Sequence, residues 1–130
     1  MGVPLSPQAQ AFLQQKVFGH IATLMRDGSP QTTTVWVDTD GANILVNTVE
    51  GRVKIKNMRR DGRVALAVVD SDNPYRGLSI RGRVTSTTIE GAAEHYAELA
   101  KKYERPLMTS PENIRVKVVI EPLGVVERGL

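Results

Sequence analysis

Apolar and polar positions alternate through much of the chain, and glycine-containing turns interrupt the alternation. A period of two puts successive side chains on opposite faces of a half-buried strand. Val17–Met25 is the first such run, and Asp27-Gly28 after it reads as a hairpin turn. Gln31–Asp38 (QTTTVWVD) is dense in β-branched residues and predicts the second strand. Asp40-Gly41 is another turn signal, and residues 43–47 are a short third strand, so residues 17–47 predict a three-stranded meander. Arg63–Asp70 (RVALAVVD) is nearly continuously apolar and predicts a central strand. Leu78–Thr85 predicts another, with Gly82 as a bulge, and Arg115–Ile120 a last one that resumes after Pro122.

Three segments break this rhythm. Ser6-Pro7 combines a hydroxyl N-cap with proline at the first helical position and predicts a helix to about Gln15, with Ala9, Phe12, Leu13 and the stem of Lys16 on its narrow apolar stripe. Residues 50–60 set Val53, Ile55 and Met58 among basic residues, which predicts a short amphipathic helix closed by Asp61-Gly62. Thr88 is expected to cap a longer helix over residues 89–103. Its apolar face is Ala92, Ala93, Tyr96, Leu99 and Ala100, and its wet face Glu90, Glu94, Glu98, Lys101 and Lys102. About six antiparallel strands with a few helices predict a barrel, because closure removes edge strands. The hairpin turns are too short for parallel crossovers. No G-x-G-x-x-G or Walker segment occurs.

Composition narrows the possibilities further. At 130 residues the chain is the size of one domain, 1–130, and a core this small gains from dimerisation. There are no cysteines, which excludes disulfides, thiolate metal sites and thiol catalysis and is compatible with the cytosol. The first ten residues lack the basic and apolar regions of a signal peptide, and no apolar run approaches ~18 residues, so no membrane span is expected. The net charge is only +3, from 17 basic and 14 acidic residues, and aromatic residues are scarce, which disfavours a nucleic-acid partner.

The basic residues are concentrated in Arg52, Lys54, Lys56, Arg59, Arg60 and Arg63, a patch sized for one anionic small molecule. Cations at alternate positions directly after a strand and Gly51 can converge on a phosphate, together with helix N-terminal N–H groups. A solvated helix face explains the same pattern. The remaining candidates also have structural readings. His20 suits a packed or rim position, and His95 a surface one. Trp36, the only tryptophan, suits either the core or a ring pocket. Tyr75-Arg76 suits a loop tip, and Arg81 with Arg83 the barrel exterior. Two histidines and no cysteines make no recognisable metal set.

The order of elements tips the balance. Gly19-His20-Ile21-Ala22-Thr23-Leu24, Gly28-Ser29-Pro30-Gln31, Val35-Trp36, residues 48–61 and Ile80-Arg81-Gly82-Arg83-Val84 together resemble the flavin and deazaflavin split-β-barrel family, the pyridoxamine-phosphate-oxidase-like superfamily. The branch that uses the deazaflavin coenzyme F420 is the most similar. The resemblance implies a homodimer with the cofactor ring against the second and third strands. It implies ring contacts from Thr33, Thr34, Val35 and Trp36, with Asn47 and Thr48 at the mouth. Arg52 and Lys54 match the family's basic pair, and Lys56 and Asn57 the later positions of the motif. Gly62 stands where the family usually has proline, and the arginine–histidine substrate pattern of true pyridoxamine-phosphate oxidases is missing. The expected activity is therefore an F420-dependent oxidoreductase that passes hydride to a small organic acceptor such as an activated double bond. The alternatives are an FMN-binding oxidoreductase and a non-catalytic F420 or flavin carrier.

Overall fold

A computed structural model describes residues 2–130. Its element order is α1 (Pro7–Gln14), β1 (Phe18–Leu24), β2 (Pro30–Thr39), β3 (Ile44–Val49), α2 (Val53–Arg60), β4 (Arg63–Val69), β5 (Gly77–Thr88), α3 (Ala92–Lys102) and β6 (Arg115–Arg128). The six strands close into an antiparallel barrel in the order β1-β2-β3-β6-β5-β4. No helix among the described residues is long and apolar enough to cross a membrane.

Inward positions follow the alternation. Ile21, Val35, Val37, Ile44, Val46, Leu66, Val68, Ile80, Val118 and Ile120 are all buried in one core. Gly19 lies among them because a Cβ there would come within 2.6 Å of Val37 Cγ1. The barrel needs the missing side chain at that point. The Ser6 hydroxyl caps α1 by accepting from Ala9 N–H at 3.0 Å, as the sequence predicts.

Several expectations change. The second long helix is not capped by Thr88. β5 runs through Thr88, whose hydroxyl accepts from Glu90 N–H, and Gly91 in the left-handed region (φ 75°) starts α3. Glycine takes that conformation without a Cβ clash. The last strand is continuous past Pro122, because the bulge lies opposite it, between Arg81 and Gly82. Proline is tolerated at a bulge, where the ladder is already broken. The Arg63–Val69 strand is buried on one face only, and Ala65 and Ala67 look outward.

Tyr103 ties α3 to the barrel. Its hydroxyl accepts from Val37 N–H at 3.0 Å and donates to Val17 C=O, so it sits between the starts of β1 and the end of β2. Burial pushes this phenol up to about 12. Lys102, expected on the wet face, is half-buried instead and donates to Leu13 C=O at 2.7 Å and Val37 C=O at 2.6 Å. Burial pushes its ammonium down to about 8, against the opposing charge of Asp38. Between pH 8 and the ordinary lysine value of about 10.5, the unfolded chain holds a proton that the folded chain has shed. Raising the pH over that window therefore favours the folded state, and the neutral amine keeps two N–H groups for its two carbonyls. Above about pH 10 the raised Tyr103 value acts in the opposite direction. Urea midpoints should rise from pH 7.5 to 9.5, and Lys102→Met should be less stable and show a flatter rise. An identical slope in the variant would contradict this assignment.

Candidate cofactor cleft

β2 pairs with β1 over seven residues, from Trp36 to Pro30, but with β3 over only three, Val37 to Thr39 against Val46 to Ile44. Beyond Val37 the two strands part, because Asn47, Thr48 and Val49 continue on β6 alone. Thr33–Trp36 on one side and Asn47–Val49 on the other then flank a candidate cleft. The Tyr103 hydroxyl shows that the Val37 peptide groups point towards β1. The alternation of an antiparallel ladder then directs those of Trp36 and Thr34 towards the cleft.

Lys54 bridges the mouth. Its ammonium donates to Thr33 Oγ1 at 3.1 Å, and burial, then the charge of Arg52, hold it below the ordinary lysine value. Arg115, the first residue of β6, stands opposite Val49. Its guanidinium carbon lies 3.4 Å from the Tyr96 ring centroid, and Nη1 donates to Asn47 Oδ1 at 3.4 Å. Burial, with a contribution from Arg52, holds Arg115 below its ordinary value as well. Arg52 is therefore close enough to repel both Lys54 and Arg115 at this mouth. Among the described residues none of them has a carboxylate within 4.0 Å. Arg59 and Arg63 differ: they pair with Glu50 and Asp61. Arg60 donates to Leu24 C=O and Asn57 Oδ1. The basic segment thus divides into charges paired with carboxylates and charges without one.

The cleft-side residues are held from behind. Asn47 Nδ2 donates to Ala92 C=O at 2.9 Å and faces His95 Nδ1 at 3.2 Å. This network assigns the imidazole proton to Nε2, 3.6 Å from Asp38 Oδ2. His95 is therefore a buried residue and not the surface histidine the sequence suggests: it is 4% exposed. Asp38 is partly buried, which raises its carboxyl, but His95, the Thr39 N–H and the Lys102 charge more than offset that and leave it below its ordinary value.

The sequence-predicted residues fall in distinct places. Arg52, Lys54, Thr33, Asn47 and Thr48 surround the mouth, with Thr48 buried on the inner side. Thr34 is exposed on the outer face, 3.3 Å from His20 Nδ1. The Val35 side chain belongs to the core, so only its backbone is near the cleft. Trp36 lies nearly parallel to Tyr103 at 5.0 Å and to Tyr96 at 6.3 Å. Lys56 is exposed on α2. Asn57 is buried and committed to Thr23 Oγ1, Met25 Sδ and Arg60, so it anchors α2 and has no group left for a ligand. Arg115 escaped the sequence reading. It is 63 positions from Arg52, and only the β3–β6 pairing reveals their proximity.

The six-stranded barrel thus splits beside a cationic mouth whose charges have no carboxylate partner. Residues 5–122 match the pyridoxamine 5'-phosphate oxidase family, and the chain belongs to it. It is 30% identical over 120 residues to an F420H(2)-dependent biliverdin reductase of Mycobacterium tuberculosis, covering 90% of this chain and 85% of that one. A solved F420 reductase superposes with a TM-score of 0.84 at 31% identity, over 94% of this chain and 98% of that one. The heme storage protein of Vibrio cholerae shares the fold at 13% identity, with a TM-score of 0.66 over 98% and 97% of the two chains.

The charge division can be tested without any cofactor. Inorganic pyrophosphate in the millimolar range should raise the thermal midpoint, as any ligand of the folded state does. Arg52→Ala, Lys54→Ala and Arg115→Met should each diminish the rise, while Arg59→Ala retains it. Equal shifts in all four variants would contradict the division.

Proposed function

We propose that the protein is an F420-dependent oxidoreductase that reduces a small conjugated organic acceptor. The observation that carries this reading is the set of three cations, Arg52, Lys54 and Arg115, left without carboxylates where β2 and β3 part. Similarity to two F420-dependent reductases over most of the chain supports F420 ahead of FMN.

The residues present fit such a cofactor. Arg52, Lys54 and Arg115 would hold its phosphate and acidic tail, with the guanidinium groups offering paired N–H donors and the ammonium a point charge. Thr33 orients Lys54, and Asn47 orients Arg115. The peptide edges of Thr34 and Trp36 would meet the polar rim of the ring, and Thr48 would close the inner side. When bound in its reduced form, F420 would supply a hydride to an acceptor double bond. The protein's part is to hold, orient and exclude water, which requires no catalytic triad.

Fluorescence titration should show tighter binding of F420 than of FMN. Lys54→Ala should weaken F420 binding by about tenfold or more, the loss of one charge-assisted hydrogen bond. Arg59→Ala should change it little, because that charge is already paired with Glu50. Wild-type binding should weaken with salt, and less steeply in the Lys54 variant. Tighter FMN binding would transfer the reading to a flavin enzyme.

A second copy of the chain is part of the proposal. The outer face of β1, β4 and β5 carries small residues, Ala22, Ala65, Ala67 and Ser79, along an open groove with Gly124 of β6. Sedimentation at micromolar concentration should give twice the 14.3 kDa chain mass. A monomer that binds F420 with full affinity would remove the second copy from the site.

A further inference from the structure

A separate hollow of about 510 Å³ lies at the other end of the cleft wall, near the C-terminus of α3. Its floor is aromatic. Phe18 and Trp36 face each other across β1 and β2, and Tyr103 packs at 5.5 Å from the first and 5.0 Å from the second. Its rim is charged, formed by Lys16, Glu104 and Arg105. Trp36 is three residues along β2 from Thr33, where Lys54 is held, a distance of roughly 10 Å in an extended strand.

The rim carries an unusual conformation. α3 ends in a Schellman turn, with Arg105 N–H donating to Ala100 C=O and Glu104 N–H to Lys101 C=O. The second of these donors adopts the left-handed conformation, where glycine is preferred. Here it is Glu104, at φ 56°, the one non-glycine residue with positive φ among those described. A glutamate at this point is strained where glycine would be relaxed. Its carboxylate pairs with Lys16 at 3.2 Å on the exposed rim. Arg105, on the other side, has no carboxylate within 4.0 Å among the described residues.

We propose that this hollow binds the acceptor. It takes a flat, conjugated organic acid, stacked on Phe18 and Trp36, with its acidic group paired by Arg105. Glu104 is a positioning residue that holds Lys16 aside so that the aromatic floor stays open. The assignment deepens the reductase reading and rests on it for the acceptor's role, but the binding itself does not require F420. An aromatic floor suits a flat conjugated body, and Arg105, exposed on the rim, suits its charge.

The test uses the full chain and 1-anilinonaphthalene-8-sulfonate, an anion built on a flat naphthalene ring system. Its binding is read by quenching of the single tryptophan, Trp36. One molecule per chain should bind, and Arg105→Ala should weaken it by about tenfold. Glu104→Gly should weaken it several-fold, with a thermal midpoint at or above wild type, because the strain is relieved. A purely structural Glu104 would lower the midpoint and leave binding unchanged. Lys54→Ala should not affect the dye. Ala93→Phe, which fills the apolar hollow between α3 and residues 107–115, should not affect it either. Saturating F420 should leave the dye bound.

Loss of binding in Ala93→Phe but not in Arg105→Ala would overturn the assignment. Displacement by F420 would give the hollow to the cofactor and overturn it as well. Failure of F420 to bind at all, with the dye behaving as described, would defeat the cofactor reading and leave this site standing.

Discussion

The arrangement depends on the incomplete pairing of β2. This strand bonds to β1 along most of its length but to β3 over three residues only. Closure is kept because β3 continues on β6. The parting strands leave unpaired backbone edges, and an unpaired edge inside a barrel needs either covering or a ligand. α3 covers one end through Trp36, Tyr96 and Tyr103. The other end is left to Lys54 and the approach of Arg52 and Arg115.

Charge at this mouth is costly to the protein by itself. Burial and mutual repulsion both work against Lys54 and Arg115 in their charged forms. A structural role would be better served by pairing each with a carboxylate, as happens a few residues away for Arg59 and Arg63. On the proposed reading, an incoming anion would offset the repulsion, so the feature that weakens the free protein would strengthen binding. The backing by Asn47, His95 and Asp38 limits how far Arg115 can move away from its neighbours.

Much of the fold was legible in the chain. Turns at Asp27-Gly28 and Asp40-Gly41 have glycines at φ 88° and 99°, and the β-branched runs between them became strands. The bulge at Gly82 and the Ser6 cap were legible for the same local reason: each is set by one residue and its neighbours. What escaped was set by distant contacts. Thr88 has the chemistry of a cap, but pairing with Lys117 extends β5 through it and moves the helix start. His95 looks like a surface residue on a helix rich in glutamate until β3 supplies Asn47 beneath it. The basic segment was visible as a cluster, whereas its division into paired and unpaired charges required Glu50 and Arg115 in space. Asn57 fits the segment's pattern, yet its environment shows an internal anchor.

The central claim is that the phosphate of F420 is held between Arg52, Lys54 and Arg115. Phosphorus NMR of F420 titrated with the protein tests it most directly, since the observed nucleus is the group said to be bound. The account predicts a shifted and broadened phosphorus signal with the wild-type chain, and one that returns towards its free position with Lys54→Ala. A phosphorus signal that stays at its free position while the ring's fluorescence reports binding would contradict the account.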